Sequence, residues 1–342
     1  MNLTHIILYA IVPIVVIMLL GYVLGKKGAF NGNDAKRFNK VVLDIALPAA
    51  LWVSIVQASR EDLAVDLKLT IVSTVGIMAC FMAVYFVFRY CFKKNTGADA
   101  AVSALISGSP TIGFLGFAVL EPIFGTSPKV ALVVAIVGIV VNAIGIPVGL
   151  SLMNSSLDKQ KAAESSTPGS AGQAINPNAV PVKKTSAFKP VLDALKKPVA
   201  WAPIAAVIWV LIGIPWPEWA SPSFDLISKA NASMAVLSAG ITLSACQIKI
   251  NAQAWVGLVM KMIMMPAVLL IFGMLVKMDP TNLKMLVVAG ALPPAFSGII
   301  IADEYGTYVS TGTTSLALSM VSFVAFCPIW IAITDMCITH FM

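Results

Sequence analysis

Ser107-Gly108-Ser109-Pro110-Thr111-Ile112-Gly113-Phe114-Leu115-Gly116 interrupts an apolar run near 98–124, and Leu292-Pro293-Pro294-Ala295-Phe296-Ser297-Gly298 interrupts another near 281–304. Each run is long enough to cross a hydrocarbon layer about 30 Å thick, which takes about 20 helical residues. Proline removes a backbone donor and its ring clashes with the carbonyl four residues back; glycine weakens the helix around it. Each run therefore reads as two half-helices joined by an unwound link near mid-membrane. Unpaired backbone at that depth persists only inside protein or beside a water-filled cavity. A simple kink is the competing reading for either run alone, and the matched pair favours a break.

Eight further apolar runs lie outward from these two, near 4–25, 38–57, 68–91, 129–152, 199–214, 223–246, 251–276 and 307–338. The expectation is an all-α polytopic membrane protein of ten transmembrane helices. Composition agrees: 58% of the 342 residues are hydrophobic, 11% are charged, and the mean hydropathy is +0.90. An ordinary soluble domain carries roughly 25% charged residues. A soluble enzyme, a disordered scaffold and a nucleic-acid-binding module are excluded. The net charge of +7 comes from residues in the short breaks between apolar runs, where it bears on topology. The first run lacks a preceding Lys or Arg and is too long for a cleaved signal peptide, so it counts as a membrane helix. The five cysteines, Cys80, Cys91, Cys246, Cys327 and Cys337, show no metal or redox spacing and read as small buried hydrophobes.

One stretch reads as a linker, 153–198, rich in Ser, Lys, Pro and Gly. A short interfacial helix is expected at its end, 188–197. The linker divides the chain into a first five-helix repeat, 1–152, and a second, 199–342. An odd number of spans per half obliges the second half to enter the membrane inverted. The two halves share punctuation: a proline-centred break in the fourth span of each, and Pro147 and Pro328 late in the fifth and tenth. Broken helices in corresponding positions point to an inverted-repeat transporter and to its binding site.

Arg60, Lys68, Lys129, Lys229, Lys277 and Lys284 fall on one side of the expected topology, and Lys261 lies within a span. The remaining Lys and Arg, the large majority, fall on the other side, together with 153–198. The basic side is expected to be cytoplasmic, which leaves both termini external.

If the two links cross, four half-helix ends meet near the midplane. The second half of each span begins there with free N–H groups and the positive end of a helix dipole, which attracts carboxylates. Ser109, Thr111 and Ser297 would add hydroxyl hydrogen bonds. Pro110, Gly113, Pro293, Pro294 and Gly298 shape the links and belong with those residues to the candidate substrate-binding set. Lys261 lies about ten residues into the eighth span, about 15 Å deep. An ammonium at that depth is costly unless it is paired or used. It reads as a counter-charge for an anion, as a cap on the C-terminal ends of the half-helices, or as a snorkelling side chain. The acids Asp44, Asp303, Glu304 and Asp335 are shallower. A deep inventory of one cation and neutral polar groups favours an anionic substrate over a cation.

Asn142 and Asn231, with Ser233, Ser238 and Thr242, lie within spans. Helix–helix hydrogen bonding is the plain reading for the serines; Asn142 stands between that and a substrate contact. Catalytic and nucleotide-binding motifs are absent, and the only histidines are His5 and His340. No cofactor is called for, and no enzyme activity. The coupling ion, proton or sodium, is not specified.

Five stretches taken together resemble the auxin efflux carrier family, in the bacterial branch that includes malonate and malate permeases. They are Asn39-Lys40-Val41-Val42-Leu43-Asp44-Ile45-Ala46-Leu47-Pro48-Ala49, Lys197-Pro198-Val199-Ala200-Trp201-Ala202-Pro203, Ala239-Gly240-Ile241-Thr242-Leu243, Lys261 with Met265-Pro266, and Ala302-Asp303-Glu304-Tyr305-Gly306. The resemblance implies ten helices in two inverted repeats, in a bacterial cytoplasmic (inner) membrane. It implies a scaffold of helices 1, 2, 6 and 7, a transport domain of 3–5 and 8–10, and an elevator-type mechanism. The site would lie where helices 4 and 9 cross. The resemblance further implies a small organic anion as substrate, malonate-like dicarboxylates foremost, and a homodimer as in plant relatives. Asn142 matches an asparagine that contacts substrate in the auxin branch. Ser109-Pro110-Thr111 departs from the asparagine common in relatives. A non-coupled channel or facilitator, or a membrane sensor, is the alternative.

Overall fold

Side-chain caps set many of the helix starts. Asn31 and Thr96 each accept a bond from the backbone three residues on, and Asp34 and Asp99 bond back to them. Ser127 and Asp279 cap helices whose first residue is proline, a position with no donor to lose. The computed structural model describes residue 8 and residues 12–56, 67–165, 198–245 and 251–341. In chain order the helices are α1 (Val12–Lys26), α2 (Gly32–Val41), α3 (Leu47–Val56), α4 (Leu67–Tyr90), α5 (Gly97–Ser107), α6 (Ile112–Phe124), α7 (Pro128–Ile139), α8 (Ile146–Ser165), α9 (Pro198–Ile212), α10 (Ser221–Ala245), α11 (Ala252–Val259), α12 (Met265–Leu275), α13 (Pro280–Ala291), α14 (Phe296–Tyr305) and α15 (Val309–Phe341).

Three π-type turns join consecutive helices into single spans: Val42–Ala46, Val140–Gly145 and Met260–Met264. Each is followed by a proline at the second residue of the next helix, Pro48, Pro147 and Pro266. The widened turn relieves the clash between the proline ring and the preceding carbonyls without ending the span. The carbonyl of Met262, four residues before Pro266, has no N–H from that proline. Trp330 on α15 supplies one through its indole, at 2.7 Å.

Among the described residues, five helices are long and apolar enough to cross a membrane: Leu67–Tyr90, Pro128–Leu157, Glu218–Ala245, Ala252–Leu275 and Val309–Phe341. Shorter apolar helices, including Val12–Lys26, Gly97–Ser107 and Trp201–Ile212, lie beside them. Leu67, Ile71 and Val75 on α4, Val16 and Leu19 on α1, and Ile208 and Leu211 on α9 are exposed. Rows of exposed aliphatic side chains on this scale match a lipid surround.

Helix pairing organises the bundle. The pairs α1–α10 and α3–α9 pack together, and α10 also touches α2, α3 and α6. On the other side α4 packs on α5, α12 on α13, α5 on α8, α13 on α15, and α4 on α12. The α1–α10 contact is close because Gly21 faces Leu237 and Gly240 faces Met18: a methyl on Gly240 would collide with the Met18 carbonyl oxygen. Small residues that let backbones approach are a common interface in membranes, where van der Waals contact supplies much of the attraction.

Polar contacts mark two ends of the bundle. At one, Lys68 donates to the Lys277 carbonyl and Lys284 pairs with Asp335. At the other, Asn95 bonds to Gln253, Asn251 to Thr311, and Thr307 to Asp99.

Three features differ from the sequence expectation. The helix of the fifth apolar run does not stop at 152; α8 continues to Ser165, so 153–165, the start of the expected linker, is helical. Met153 is fully buried against α5, and Ser156 fits beside Gly97, while Ser155 stays exposed. Cys91 is exposed, whereas Cys80 and Cys327 are buried. Cys246, Arg60, Lys249, the start of the first span, the rest of the linker and its expected interfacial helix lie outside the described residues.

Candidate binding site at the helix crossing

The chain breaks between α5 and α6, and again between α13 and α14. The links run antiparallel to one another. The N–H of Thr111 donates to the Pro293 carbonyl at 2.9 Å, and that of Ala295 donates to the Ser109 carbonyl at 3.0 Å. Pro110 and Pro294 therefore face each other as one antiparallel pair. In this kind of pair the facing residues do not use their own N–H groups. The missing proline donors cost nothing there, and the flanking residues tie the two breaks together. Ser109, Pro110, Thr111, Pro293 and Pro294 are all buried at this crossing.

α6 starts at Ile112 and α14 at Phe296, so two helix N-termini open from the crossing. Their first-turn N–H groups have no earlier turn to bond to and carry the positive end of the helix dipole. Thr111 occupies the N-cap position of α6 without capping it: its hydroxyl makes no hydrogen bond, although the residue is only 2% exposed. A threonine at an N-cap ordinarily spends its hydroxyl on the helix. Here a buried hydroxyl is left uncommitted at a positive helix end.

Other helices pack around the crossing. A methyl on Gly145 would lie 3.8 Å from the Ser109 hydroxyl, and one on Gly138 would lie 3.9 Å from Ile112. Asn142 sits between those glycines in the π turn and donates to the Gly138 carbonyl at 2.8 Å. Span two presents Leu43 and Leu47 to Gly113. Gly298 fits against Leu105 and Ile106, which lets α14 lie on α5; its place is between the helices. Ser297 is the second residue of α14, next to the link, and its side chain lies outside the described residues. Ser107 and Ser315 approach within 3.4 Å, and Gly257 makes room for both.

Lys261 is fully buried in the π turn of span eight. Its ammonium donates to the carbonyl of Gly290, at the C-terminal end of α13, and to the Met265 sulfur at 3.3 Å. Among the described residues no carboxylate pairs with it. This is the capping geometry, with the cation on the negative end of a half-helix.

Sequence reasoning marked the two breaks and Lys261 but missed the Trp330 bond to Met262. Pro266, four residues on from Met262, was the available signal. The plain reading of the serines holds for Ser238, which bonds the Ala35 carbonyl and Asn39 across spans seven and two.

A family model described as "membrane transport protein" matches residues 6–331. The chain is 48% identical over 324 residues to an "uncharacterized transporter YfdV" of Escherichia coli strain K12, covering 95% of this chain and 96% of that one. It is 24% identical over 329 residues to an "uncharacterized transporter" of Methanothermobacter thermautotrophicus, covering 94% and 96%. A 134-residue stretch is 25% identical to "auxin efflux carrier component 4" of Arabidopsis thaliana, covering 37% of this chain and 22% of that one.

Proposed function

The chain belongs to the auxin efflux carrier family of membrane transport proteins, and we propose that it is a secondary active transporter of a small organic anion. The substrate binds at the crossing of the two broken spans. One observation carries this reading: an antiparallel link pair from which two helix N-termini open, beside the buried, uncommitted hydroxyl of Thr111. A carboxylate accepts hydrogen bonds and carries the charge that a helix N-terminus favours. Two such termini offer one positive end to each carboxylate of a malonate-like dicarboxylate. Ser109, Thr111, Ser297 and Asn142 supply the polar contacts, Pro110, Pro293 and Pro294 form the links, and Gly113 and Gly298 let α6 and α14 pack closely on their neighbours. Lys261 holds the end of α13 behind the site.

The proposed architecture is two inverted five-helix repeats, 1–152 and 199–342. Helix pairing supports it. An exchange of spans one to five with six to ten turns the α1–α10 pair into α9–α3, α4–α5 into α12–α13, and α5–α8 into α13–α15, and all six pairs pack. Spans one, two, six and seven form a scaffold; the others form a transport domain that slides against it, elevator fashion, with Leu43 and Leu47 over Gly113 at the seam. The chain sits in a bacterial inner membrane as a homodimer, with the linker cytoplasmic and both termini outside. The basic-residue asymmetry supports this orientation; the Thr307–Asp99 bond joins the 3–4 and 9–10 loops at one end.

Reconstitution in liposomes tests the function. Uptake of labelled malonate is expected to saturate and to accelerate when unlabelled malonate is loaded inside. Non-saturating flux without acceleration would mean a channel, and no flux of malonate or other small carboxylates would contradict transport of this class.

A further inference from the structure

Six neutral polar side chains lie along α10 from Ser228 to Ser244, and five of them are satisfied. Ser228 donates to the Asp225 carbonyl, Ser233 to Lys229, Thr242 to Ser238, Ser244 to Ile241, and Ser238 to Ala35. Asn231 is the exception. It is 1% exposed, and neither its amide nitrogen nor its amide oxygen has a hydrogen-bond partner. Asn142 illustrates the usual resolution, a bond to the carbonyl one turn back. A buried amide with both ends unpaired is costly, and in a membrane helix it marks a functional position.

Its location is informative. Asn231 lies ten residues in from Ser221, about 15 Å along the helix. Ser238 is two turns further on and therefore on the same face; it bonds into span two. Asn231 thus faces span two, whose Leu43 and Leu47 lie over Gly113 in the first turn of α6. α10 itself packs against α6. The start of α6 is about 18 Å from its outer end, so the amide and the crossing lie at similar depths, on opposite sides of one seam.

We propose that Asn231 is a substrate-contacting residue that completes the anion site from the α10 side. Its Nδ2 donates to a carboxylate oxygen of the bound anion, and its Oδ1 accepts from a water held with that anion. This rests on the reading that the crossing binds an organic anion.

The test uses purified full-length protein, Asn231→Leu and Thr111→Val, with malonate, oxalate and acetate as probes. Thermal unfolding without ligand and a binding titration are read for each. Asn231→Leu keeps the volume and removes the unpaired amide, so it is expected to unfold at the same or a higher temperature without ligand. It is expected to bind the anion about tenfold more weakly, the loss of one charge-assisted hydrogen bond. Unchanged affinity in Asn231→Leu with weakened binding in Thr111→Val would overturn the role of Asn231 and leave the crossing site standing. Unchanged affinity in both variants, or no saturable binding of any probe by the wild type, would overturn the crossing site and this inference together. A marked loss of ligand-free stability in Asn231→Leu would assign the amide to packing and also overturn the inference.

Discussion

The ammonium of Lys261 donates to the carbonyl of Gly290, joining span eight to the C-terminal end of α13 just before the Pro293-Pro294 break. The break is what leaves the last carbonyls of α13 without partners from a following turn. A buried cation is tolerated because it meets that need. Lys261→Met is therefore expected to lower the ligand-free unfolding temperature, with a cost of about 1.5–3 kcal/mol for the lost charged hydrogen bond. Thermal unfolding in detergent checks it. An unchanged ligand-free temperature with loss of the malonate-induced shift would make Lys261 a substrate ligand instead of a cap.

Trp330 and Met262 give a second expectation. The indole fills the gap that Pro266 leaves in the hydrogen bonding of span eight. Trp330→Phe keeps most of the aromatic packing and leaves the Met262 carbonyl unpaired, which costs about 1–3 kcal/mol. Ligand-free unfolding is expected at a lower temperature, with anion affinity unchanged because neither Trp330 nor Met262 belongs to the proposed site. A variant as stable as the wild type would mean that another donor reaches that carbonyl.

Cys91 offers a test of orientation with a native residue. It is exposed at the end of α4, at the bundle end where the 3–4 and 9–10 loops meet. With that end cytoplasmic, an impermeant maleimide is expected to spare Cys91 in intact cells and to label it in inside-out vesicles. Labelling in intact cells would reverse the topology. A cysteine placed at 170, in the linker, is expected to behave as Cys91 does.

Features that depend on local chemistry were legible in the sequence. Pro110 and the Pro293-Pro294 pair announced the breaks because a missing donor and a steric clash act within one turn. The depth of Lys261 followed from counting residues, and so did its need for a partner. The choice of Gly290 as that partner depends on which helix packs beside span eight, and periodicity does not specify neighbours. The same holds for Trp330 and for Ser156, which lies beside Gly97 in a stretch that continues as helix. The π turns had a local signal, a proline two residues into the following helix, but proline also reads as a kink. Asn142 and Asn231 look alike as polar residues within apolar runs. Only three-dimensional contacts distinguish the one that bonds its own helix from the one that bonds nothing.

The central claim is that the Pro110–Pro294 crossing binds the anion, and the uncommitted hydroxyl of Thr111 gives it a direct test. Thr111→Val preserves shape and removes a hydroxyl that satisfies nothing in the ligand-free protein. A calorimetric titration of malonate into wild type and variant is expected to give saturable binding in both, weaker in the variant by about 0.5–1.5 kcal/mol, the worth of one neutral hydrogen bond, with no loss of ligand-free stability. Equal affinities in Thr111→Val and in Ser109→Ala, beside a wild type that binds malonate, would place the anion elsewhere and contradict the account.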